Sequence, residues 1–287
     1  MTRSRFASDG TRHALTIDVE EWFHDDWRPN RGLDWDRLPS TVVPEVEHVL
    51  ELLDGAGAQA TFFVLGDVAR RQPGLVRRIA ELGHEVASHG YAHRLIYTQT
   101  PAEFREDVRR AKALLEDVSG KPVLGYRAPS FSVTSQSLWA LDELLDAGYR
   151  YDSSVFPVRD SLYGLPDASR FPFVIREREG RELIEFPITT TRALGRNLPL
   201  GGGGYLRLLP YRYMWWGMRR VNRDEQQASV VYVHPWEVDP DHPRMKTAGR
   251  RGFSTHYVGL GGTERKLQQL FRDFQFAPMR DVLGLAA

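Results

Sequence analysis

The chain has 287 residues, 41% of them hydrophobic, and its 38 basic and 38 acidic side chains cancel to a formal net charge of +0. This balance argues against a general nucleic-acid-binding coat, and because the chain has no cysteine, disulfides and thiolate metal ligands are excluded. Residues 1–13 lack the apolar core of a signal peptide, and no later stretch has the roughly 18 apolar residues of a membrane span, which predicts a cytoplasmic protein.

The first half of the chain alternates short buried strands with amphipathic helices. Strands are predicted at residues 14–17, 60–65, 85–89, 123–126 and 149–151, and helices at residues 44–53, 73–82, 101–118 and 134–145. A capping box at Thr100 and Glu103 marks the start of the third helix. This alternation predicts parallel strands joined by right-handed crossovers, as in an α/β barrel.

The second half of the chain is less periodic. A strand is predicted at residues 183–186, a helix at 210–221, a buried strand at 229–233, and a closing helix capped by Thr263. The four glycines at 201–204 lack the Gly-Lys-Ser/Thr sequence of a phosphate-binding loop, so a flexible loop over a cleft is predicted there. We divide the chain into a tail (residues 1–13), one barrel domain (residues 14–239) and a C-terminal extension that packs on it (residues 240–287).

Two histidines four positions apart follow the predicted strand at residues 85–89. Side chains alternate along a strand, so His89 faces away from His84, and Gly90 allows a sharp turn after which His93 can return beside His89. Two such nitrogens and one carboxylate satisfy a divalent metal such as zinc and leave a fourth position for water. The spacing alone is equally compatible with two unrelated histidines in a turn.

Five of the predicted strands end on residue types that carry chemistry. They deliver, in chain order, Asp18, His89, Arg127, Asp152 and His234. Glu20 would share the face of Asp18 if the first strand continued that far. In an α/β barrel the carboxyl ends of the strands form one face, so these side chains are expected to meet.

Four segments read T-I-D-V-E, S-H-G-Y-A-H, R-A-P-S and Y-V-H-P, in this order, between about residues 14 and 235. They resemble the motifs of the polysaccharide deacetylases, the NodB-type domain of carbohydrate esterase family four. Four longer segments read D-V-E-E-W-F, Y-D-S-S-V-F-P, G-R-N-L-P-L-G-G-G-G-Y and H-P-W-E-V-D-P. With the C-terminal tail, they resemble the subfamily encoded in bacterial exopolysaccharide loci that accompany exosortase systems, a match that covers nearly the whole chain.

The resemblance implies a distorted parallel (β/α) barrel and metal-dependent hydrolysis of an N-acetyl group from an amino sugar. The commonest first motif of the family has two adjacent aspartates, the second of which binds metal. Val19 stands in that second position here, and the ligand role passes to Glu20, as in family members with an acid-x-acid motif. The implied roles are metal ligands Glu20, His89 and His93, general base Asp18 with its partner Arg127, general acid His234, and Asp152 as the acid that orients His234.

The neighbours of these residues are candidates for the substrate pocket. Ser130 stands where the third motif of the family usually has tyrosine, and its backbone N–H could still contact the oxyanion. Trp22, Phe131 and Trp236 could hold the acetyl methyl group or stack on a sugar ring, with buried packing as the alternative.

The sequence therefore predicts a metal-dependent N-deacetylase, with zinc as the expected metal. Its expected substrate is an N-acetylhexosamine unit of a bacterial exopolysaccharide or of its lipid-linked precursor, and no nucleic-acid partner is expected. Arginines and tryptophans within residues 212–223 could face a pyrophosphate or make peripheral membrane contact. Two alternatives stay open: an allantoinase-like hydrolase of a small non-sugar amide on the same fold, and a catalytically inactive, metal-free glycan-binding module.

Overall fold

The computed structural model describes residues 12–24, 34–160, 163–193, 195–243 and 257–285. In this part of the chain the strands are β1 (Arg12–Val19), β2 (Thr61–Val64), β3 (Glu85–Ser88), β4 (Gly125–Tyr126), β5 (Tyr151–Asp152), β6 (Phe173–Arg178), β7 (Arg181–Glu185), β8 (Thr190–Ala193), β9 (Arg196–Pro199), β10 (Val230–Val233) and β11 (Gln275–Ala277). The helices are α1 (Val42–Ala56), α2 (Gly66–Arg71), α3 (Pro73–Glu81), α4 (Pro101–Ser119), α5 (Ala140–Asp146), α6 (Gly203–Leu208), α7 (Tyr211–Arg223), α8 (Thr263–Asp273) and α9 (Met279–Val282).

Nine strands form one sheet in the order β10-β1-β2-β3-β4-β5-β7-β6, and β11 also pairs with β1. Neighbouring strands are parallel except for β6, which runs antiparallel to β7. The sheet curls into a half-barrel, which confirms the predicted α/β class and the distorted barrel. Parallel strands carry their carboxyl ends to one side of the sheet, so β1, β3 and β10 deliver their following residues to the same face.

Alternation along β1 sorts its side chains between the helices and the barrel interior. Leu15, Ile17 and Val19 face outward and belong to the cluster that packs against the helices. Full burial of an aliphatic side chain stabilises a fold by about 1.5–3 kcal/mol, so this layer is the main source of stability. Because neighbours alternate, Thr16 and Asp18 face inward, as the sequence predicts.

The glycine run between β7 and β10 makes regular backbone contacts with β10. Tyr232 N–H donates to the carbonyl oxygen of Gly201 at 2.7 Å, and Gly202 forms a parallel bridge with Tyr232. Gly203 begins α6, and a Cβ there would lie 1.8 Å from Oε2 of Glu237. The prediction of a flexible loop at the four glycines is therefore wrong: the glycines allow close backbone approach to neighbouring groups.

Helix ends agree with local sequence signals, with three shifts. Helix α5 begins at Ala140 rather than at residue 134, because Thr134 and Ser137 hydrogen-bond to each other in a turn that precedes the helix. The capping box at Thr100 forms as predicted. Helix α1 continues past Gly55, the predicted stop, and ends where Gly57 adopts a φ of 60°. Thr263 is the first residue of α8, and Gly262 takes the capping position predicted for Thr263. Among the described helices, none combines the length and apolar character needed to cross a bilayer.

Four strands lie outside the sequence predictions: β6, β8, β9 and β11. Strands β8 and β9 form an antiparallel hairpin separate from the main sheet, and β11 pairs with the first residues of β1. The C-terminal extension is anchored there as well, since Met279 N–H donates to Thr61 Oγ1 at 2.7 Å. The C-terminal extension predicted at residues 240–287 lies in part outside the described residues, because residues 244–256 and 286–287 are not among them.

Candidate active site

Three buried side chains that can bind a metal lie together beyond the ends of β1 and β3. Glu20 Oε2 lies 2.8 Å from His93 Nε2 and 3.7 Å from His89 Nε2. One ligand atom from each residue falls within 4.8 Å of the other two. The structure thus brings together the three residues predicted as metal ligands.

The backbone after β3 aims both imidazoles at Glu20. Gly90 has a φ of 77° and His93 a φ of 50°, so the chain turns back through the left-handed region. His89 Nδ1 lies 2.9 Å from the carbonyl oxygen of Arg127 and donates its proton there. The lone pair of His89 is therefore on Nε2, the nitrogen that faces Glu20, which is the arrangement typical of a metal-binding histidine.

The donor set fits a divalent cation. Glu20 Oε2 is buried and has no hydrogen bond of acceptable geometry with any described residue. Burial raises the pKa of Glu20, but the charge of His93 and the nearby imidazoles of His89 and His234 outweigh it and hold the pKa well below its usual value. Two imidazole nitrogens and one carboxylate are donors that zinc uses at catalytic sites, which keep a further position for water.

Arg127 is fully buried beneath this cluster and holds Asp18. Its Nη1 donates to Asp18 Oδ1 and to Thr16 Oγ1, both at 2.7 Å. Its Nε and Nη2 donate to the carbonyl and hydroxyl oxygens of Ser153 at 3.1 and 3.0 Å. The guanidinium also lies 4.2 Å from the ring centroid of Phe63. Because a guanidinium is planar and directional, this network fixes the orientation of the Asp18 carboxylate.

His234 follows β10 and is held by Glu237, a residue to which sequence analysis assigns no role. Glu237 Oε2 accepts the backbone N–H of His234 at 2.9 Å and lies 3.3 Å from its Nδ1, while Oε1 accepts Arg207 Nε at 2.6 Å. Burial lowers the pKa of His234, but the hydrogen bond to Glu237 and the charge of Glu20 raise it to about 9. His234 Nε2 lies 3.5 Å from Glu20 Oε1, so its second nitrogen faces the metal cluster.

Asp152 lies in a different environment from the one predicted. It is paired across β5 and β7 with Glu185, and the Ser154 hydroxyl donates to its Oδ1. Burial raises the pKa of both carboxyls, and repulsion from Asp152 raises the pKa of Glu185 further. Four strands separate β5 from β10 in the sheet, whereas Glu237 reaches His234 within one turn. Among the described contacts, Glu237 rather than Asp152 orients His234.

The proposed ligands, Asp18 and His234 open into one cavity of about 230 Å³. The other residues that line it are Ala128, Ser130, Phe131, Tyr163, Tyr232 and Trp236. Trp236 stacks on the imidazole of His234, with ring centroids 5.1 Å apart. Trp22 does not line this cavity and instead donates through Nε1 to the carbonyl oxygen of Pro39 at 2.9 Å. Of the four predicted substrate contacts, three therefore line the cavity and Trp22 does not.

One wall of the cavity carries backbone strain. Ser130 and Phe131 have φ angles of 49° and 52°, a region that side-chain-bearing residues rarely occupy. The turn is fixed by Phe131 N–H, which donates to the carbonyl oxygen of Ala128 at 3.1 Å. Strain of this kind costs about 1–3 kcal/mol per residue and is concentrated at functional sites in proteins.

Two family models match the chain. The model for polysaccharide deacetylase matches residues 30–151, and a domain of unknown function, DUF3473, matches residues 153–284. Residues 30–151 carry a polysaccharide deacetylase domain. The second match is of the type found in the exosortase-associated subfamily. The two matched regions of the chain meet at β5, inside a single sheet.

Known proteins share the deacetylase region and the fold. A peptidoglycan-N-acetylglucosamine deacetylase from Bacillus cereus is 29% identical over 104 residues, which are 35% of this chain and 38% of the relative. A polysaccharide deacetylase-type structure from Mycobacterium smegmatis covers 94% of this chain and 88% of its own, with TM-score 0.63 and 22% identity. A CE4 family pseudoenzyme from Bacillus anthracis aligns with 96% of this chain over 66% of its own length, with TM-score 0.50 and 15% identity. At these identities the two structures show the fold alone.

The candidate active site contains groups that sequence reasoning missed. Glu237 stands three positions after His234, which is capping-box spacing and a usable signal. Tyr163 has no such signal, because it lies where hydrophobic periodicity fades. A second group with ligand spacing, Glu45 and His242 with Asp239, lies outside the cavity. Glu45 Oε1 lies 3.2 Å from His242 Nδ1, which ties α1 to the segment that carries His234.

Proposed function

We propose that the protein is a zinc-dependent N-deacetylase acting on N-acetylhexosamine units of a bacterial exopolysaccharide or of its lipid-linked precursor. The observation that carries this proposal is the convergence of a three-donor cluster, Asp18 and His234 on one cavity. The match of residues 30–151 to the polysaccharide deacetylase family supports the reaction class. The resemblance of the longer motifs to the exopolysaccharide-locus subfamily supports the choice of substrate.

Glu20, His89 and His93 would hold the metal. Zinc bound there would lower the pKa of a water molecule towards about 7 and polarise the acetyl oxygen. The chain has no cysteine, so the donors available to a metal in this cavity are imidazoles and carboxylates.

Asp18 acts as the general base in this proposal. It lines the cavity and takes the proton of the water that attacks the acetyl carbon. Arg127 is its positioning residue, because the 2.7 Å contact fixes the carboxylate while both groups are almost fully buried. Ser130 contributes its backbone N–H to the developing oxyanion.

His234 acts as the general acid. The hydrogen bond to Glu237 and the nearby carboxylates raise the pKa of His234 to about 9 in the metal-free chain. A raised pKa favours the protonated ring, which can give a proton to the departing amine nitrogen. Glu237 accepts a hydrogen bond from Nδ1–H of His234, so the proton on Nε2 is the one available for transfer. Such a proton transfer is typically worth about 10² to 10⁴ in rate.

Phe131 and Trp236 provide apolar walls for the acetyl methyl group. The cavity volume of about 230 Å³ is below the roughly 300–1,000 Å³ of sites that enclose a drug-sized ligand. A pocket of this size receives the acetamido group and the adjoining edge of one sugar, while the remainder of a glycan stays outside.

Helix α7 supports access to a lipid-linked precursor. Trp215 and Trp216 are 38% and 39% exposed, and the Arg219 guanidinium lies 4.8 Å from the Trp215 ring centroid. Amphipathic helices with tryptophan and arginine bind anionic interfaces.

We expect Arg212→Glu with Arg219→Glu to reduce binding to anionic vesicles and turnover of lipid-linked substrate, without reducing turnover of soluble chitooligosaccharides. Equal loss on both substrates would remove the membrane role.

The first test is metal content. Wild-type protein, His89→Ala and His84→Ala are exposed equally to zinc, dialysed and analysed for bound metal. His84 is a matched control, since it is buried, lies five positions before His89 and accepts Ala60 N–H outside the cavity. Near-stoichiometric zinc in the wild type and His84→Ala, with loss in His89→Ala, is expected. A wild type that retains no metal would refute the catalytic proposal and favour a glycan-binding module.

The second test is turnover by the metal-loaded protein. Acetate release from chitooligosaccharides is compared with ring opening of a cyclic ureide. Asp18→Asn should keep the metal and lose about 10²-fold or more in acetate release, because it removes the base but no ligand. Turnover of the ureide without acetate release would assign the site to a small-amide hydrolase.

A further inference from the structure

A larger cavity of about 810 Å³ adjoins the catalytic cavity. Tyr163 lines both cavities, so they meet at its ring. The catalytic cavity holds only about 230 Å³, whereas the neighbouring space is large enough for several sugar rings. We call this neighbouring space, lined by residues 157–160, 163 and 166–167, by the hairpin β8–β9 and by Tyr205, the flanking cleft.

The flanking cleft has aromatic groups where it meets the catalytic cavity. Tyr163 stacks on Phe156 at an interplanar angle of 10° with centroids 5.8 Å apart, and Tyr205 lines the same cleft. A tyrosine offers an apolar ring face together with a polar hydroxyl. Both features match a sugar, which has apolar C–H faces and peripheral hydroxyls.

The opposite wall is a fixed hairpin. Asn197 Nδ2 donates to the carbonyl oxygen of Pro157 at 2.9 Å, which ties β9 to the other side of the cleft. Tyr213 of α7 donates to the carbonyl oxygen of Pro199 at 2.8 Å. These contacts hold in place the hairpin backbone from which Arg192 and Arg196 extend.

Three arginines line the flanking cleft, Arg159, Arg192 and Arg196, together with two carboxylates, Asp160 and Asp167. The three arginines are exposed, and none of them forms an ion pair with another described residue. Arg170, by contrast, forms two hydrogen bonds with Glu225. Because the guanidiniums outnumber the carboxylates and bind carboxylate and phosphate bidentately, the lining favours an anionic ligand.

We propose that the flanking cleft binds the glycan next to the unit being deacetylated and that its arginines recognise an anionic group on that glycan. This inference rests on the proposed function, since it takes the acetamido group as the occupant of the catalytic cavity. The anionic group is a carboxylate on a neighbouring sugar or a phosphate at the reducing end. The cleft therefore selects acidic glycans over neutral ones.

The test measures binding rather than turnover, so that it stays separate from the test of the reaction. Isothermal titration calorimetry is run on the metal-free full chain at about 50 mM salt, where surface charge is little screened. The probes are a hyaluronan tetrasaccharide, which carries carboxylates, UDP-N-acetylglucosamine, which carries phosphates, and neutral chitotetraose. The variant is Arg192→Gln with Arg196→Gln. The control is Arg77→Gln with Arg109→Gln, which removes the same charge from exposed positions on α3 and α4.

We expect the cleft variant to bind one charged probe about tenfold or more weakly, corresponding to the loss of charged contacts, and to bind chitotetraose as the wild type does. Selective loss with the tetrasaccharide identifies a carboxylate, and selective loss with the nucleotide sugar identifies a phosphate. The proposal is overturned if the wild type binds neither charged probe, if all three probes weaken equally, or if the control variant weakens as much as the cleft variant. Because the test measures binding and needs no turnover, it can support or overturn the flanking-cleft proposal even if the protein has no catalytic activity.

Discussion

Replacing Glu237 with glutamine tests whether His234 acts as the acid. Glu237→Gln keeps the shape of the side chain, but it removes the negative charge that lies 3.3 Å from His234 Nδ1 and 2.6 Å from Arg207 Nε. The protonated imidazole loses its charged partner, whereas the neutral imidazole loses little. The pKa of His234 is therefore expected to fall.

The size of the change follows from the contact that is lost. A hydrogen bond to a charged group contributes about 1.5–3 kcal/mol, and one pKa unit corresponds to about 1.36 kcal/mol. The pKa of His234, raised to about 9 in the wild type, should thus fall by about 1–2 units. A cation held at Glu20 would lower the pKa in both proteins, so the difference between them is preserved.

The assay is the pH dependence of kcat/KM for acetate release, between about pH 6 and pH 10. A general acid is active only when protonated, so activity is lost as pH rises through its pKa. The alkaline limb should move to lower pH in Glu237→Gln. Glu225→Gln, which breaks a partly buried pair with Arg170 away from the cavity, should leave the limb in place. An alkaline limb at the same pH in Glu237→Gln and wild type would refute the assignment of His234 as the acid.

Three further outcomes are expected. Gly203→Ala should reduce acetate release about as much as Glu237→Gln does, because its Cβ would lie 1.8 Å from the Glu237 carboxylate. The control Gly204→Ala, whose Cβ would meet nothing closer than 3.9 Å, should stay near wild type. Equal loss of activity in both variants would contradict this expectation. Burial lowers the pKa of His13 to about 4. Below about pH 6.5 the unfolded chain therefore binds more protons than the folded chain does. Acidification from pH 7.5 to 5 should lower the unfolding free energy of the wild type by up to about 2 kcal/mol more than that of His13→Gln. Urea titrations measure that difference, and its absence would mean that His13 titrates normally. Arg127→Met should lower the unfolding free energy by about 3–5 kcal/mol, since it leaves a buried carboxylate unpaired; a change below about 1 kcal/mol in the same titrations would contradict the buried pair.

Much of the fold and part of the site follow from local signals in the sequence. The capping box at Thr100 and Glu103 forms because both of its hydrogen bonds lie within one helical turn. His89 and His93 meet because Gly90 permits the turn between them. Strand and helix periodicities act over similarly short distances, so the order of elements in the barrel could be predicted.

The remaining features depend on contacts between distant parts of the chain. The orienting acid is one example: Asp152 and Glu237 both follow strands, and only the separation of β5 from β10 in the sheet decides between them. The hairpin β8–β9 is another, since it is tied by Asn197 to Pro157, 40 positions away. The carbonyl oxygen of Gly201 accepts the N–H of Tyr232 in β10, a contact for which the glycine run itself gives no signal.

Strand β5 divides the chain into two portions with different contributions to the candidate site. Residues up to Asp152 supply the three donors of the metal cluster, Asp18 and Arg127, and residues beyond it supply His234, Glu237 and the flanking cleft. Because β5 pairs with β4 on one side and β7 on the other, each portion alone would leave an open sheet edge. Under the proposed function, exchanging the second portion for that of a relative with the same histidine and glutamate would keep the reaction and change the glycan that is recognised. The junction at β5 is thus a crossover point for chimaeric proteins of altered specificity.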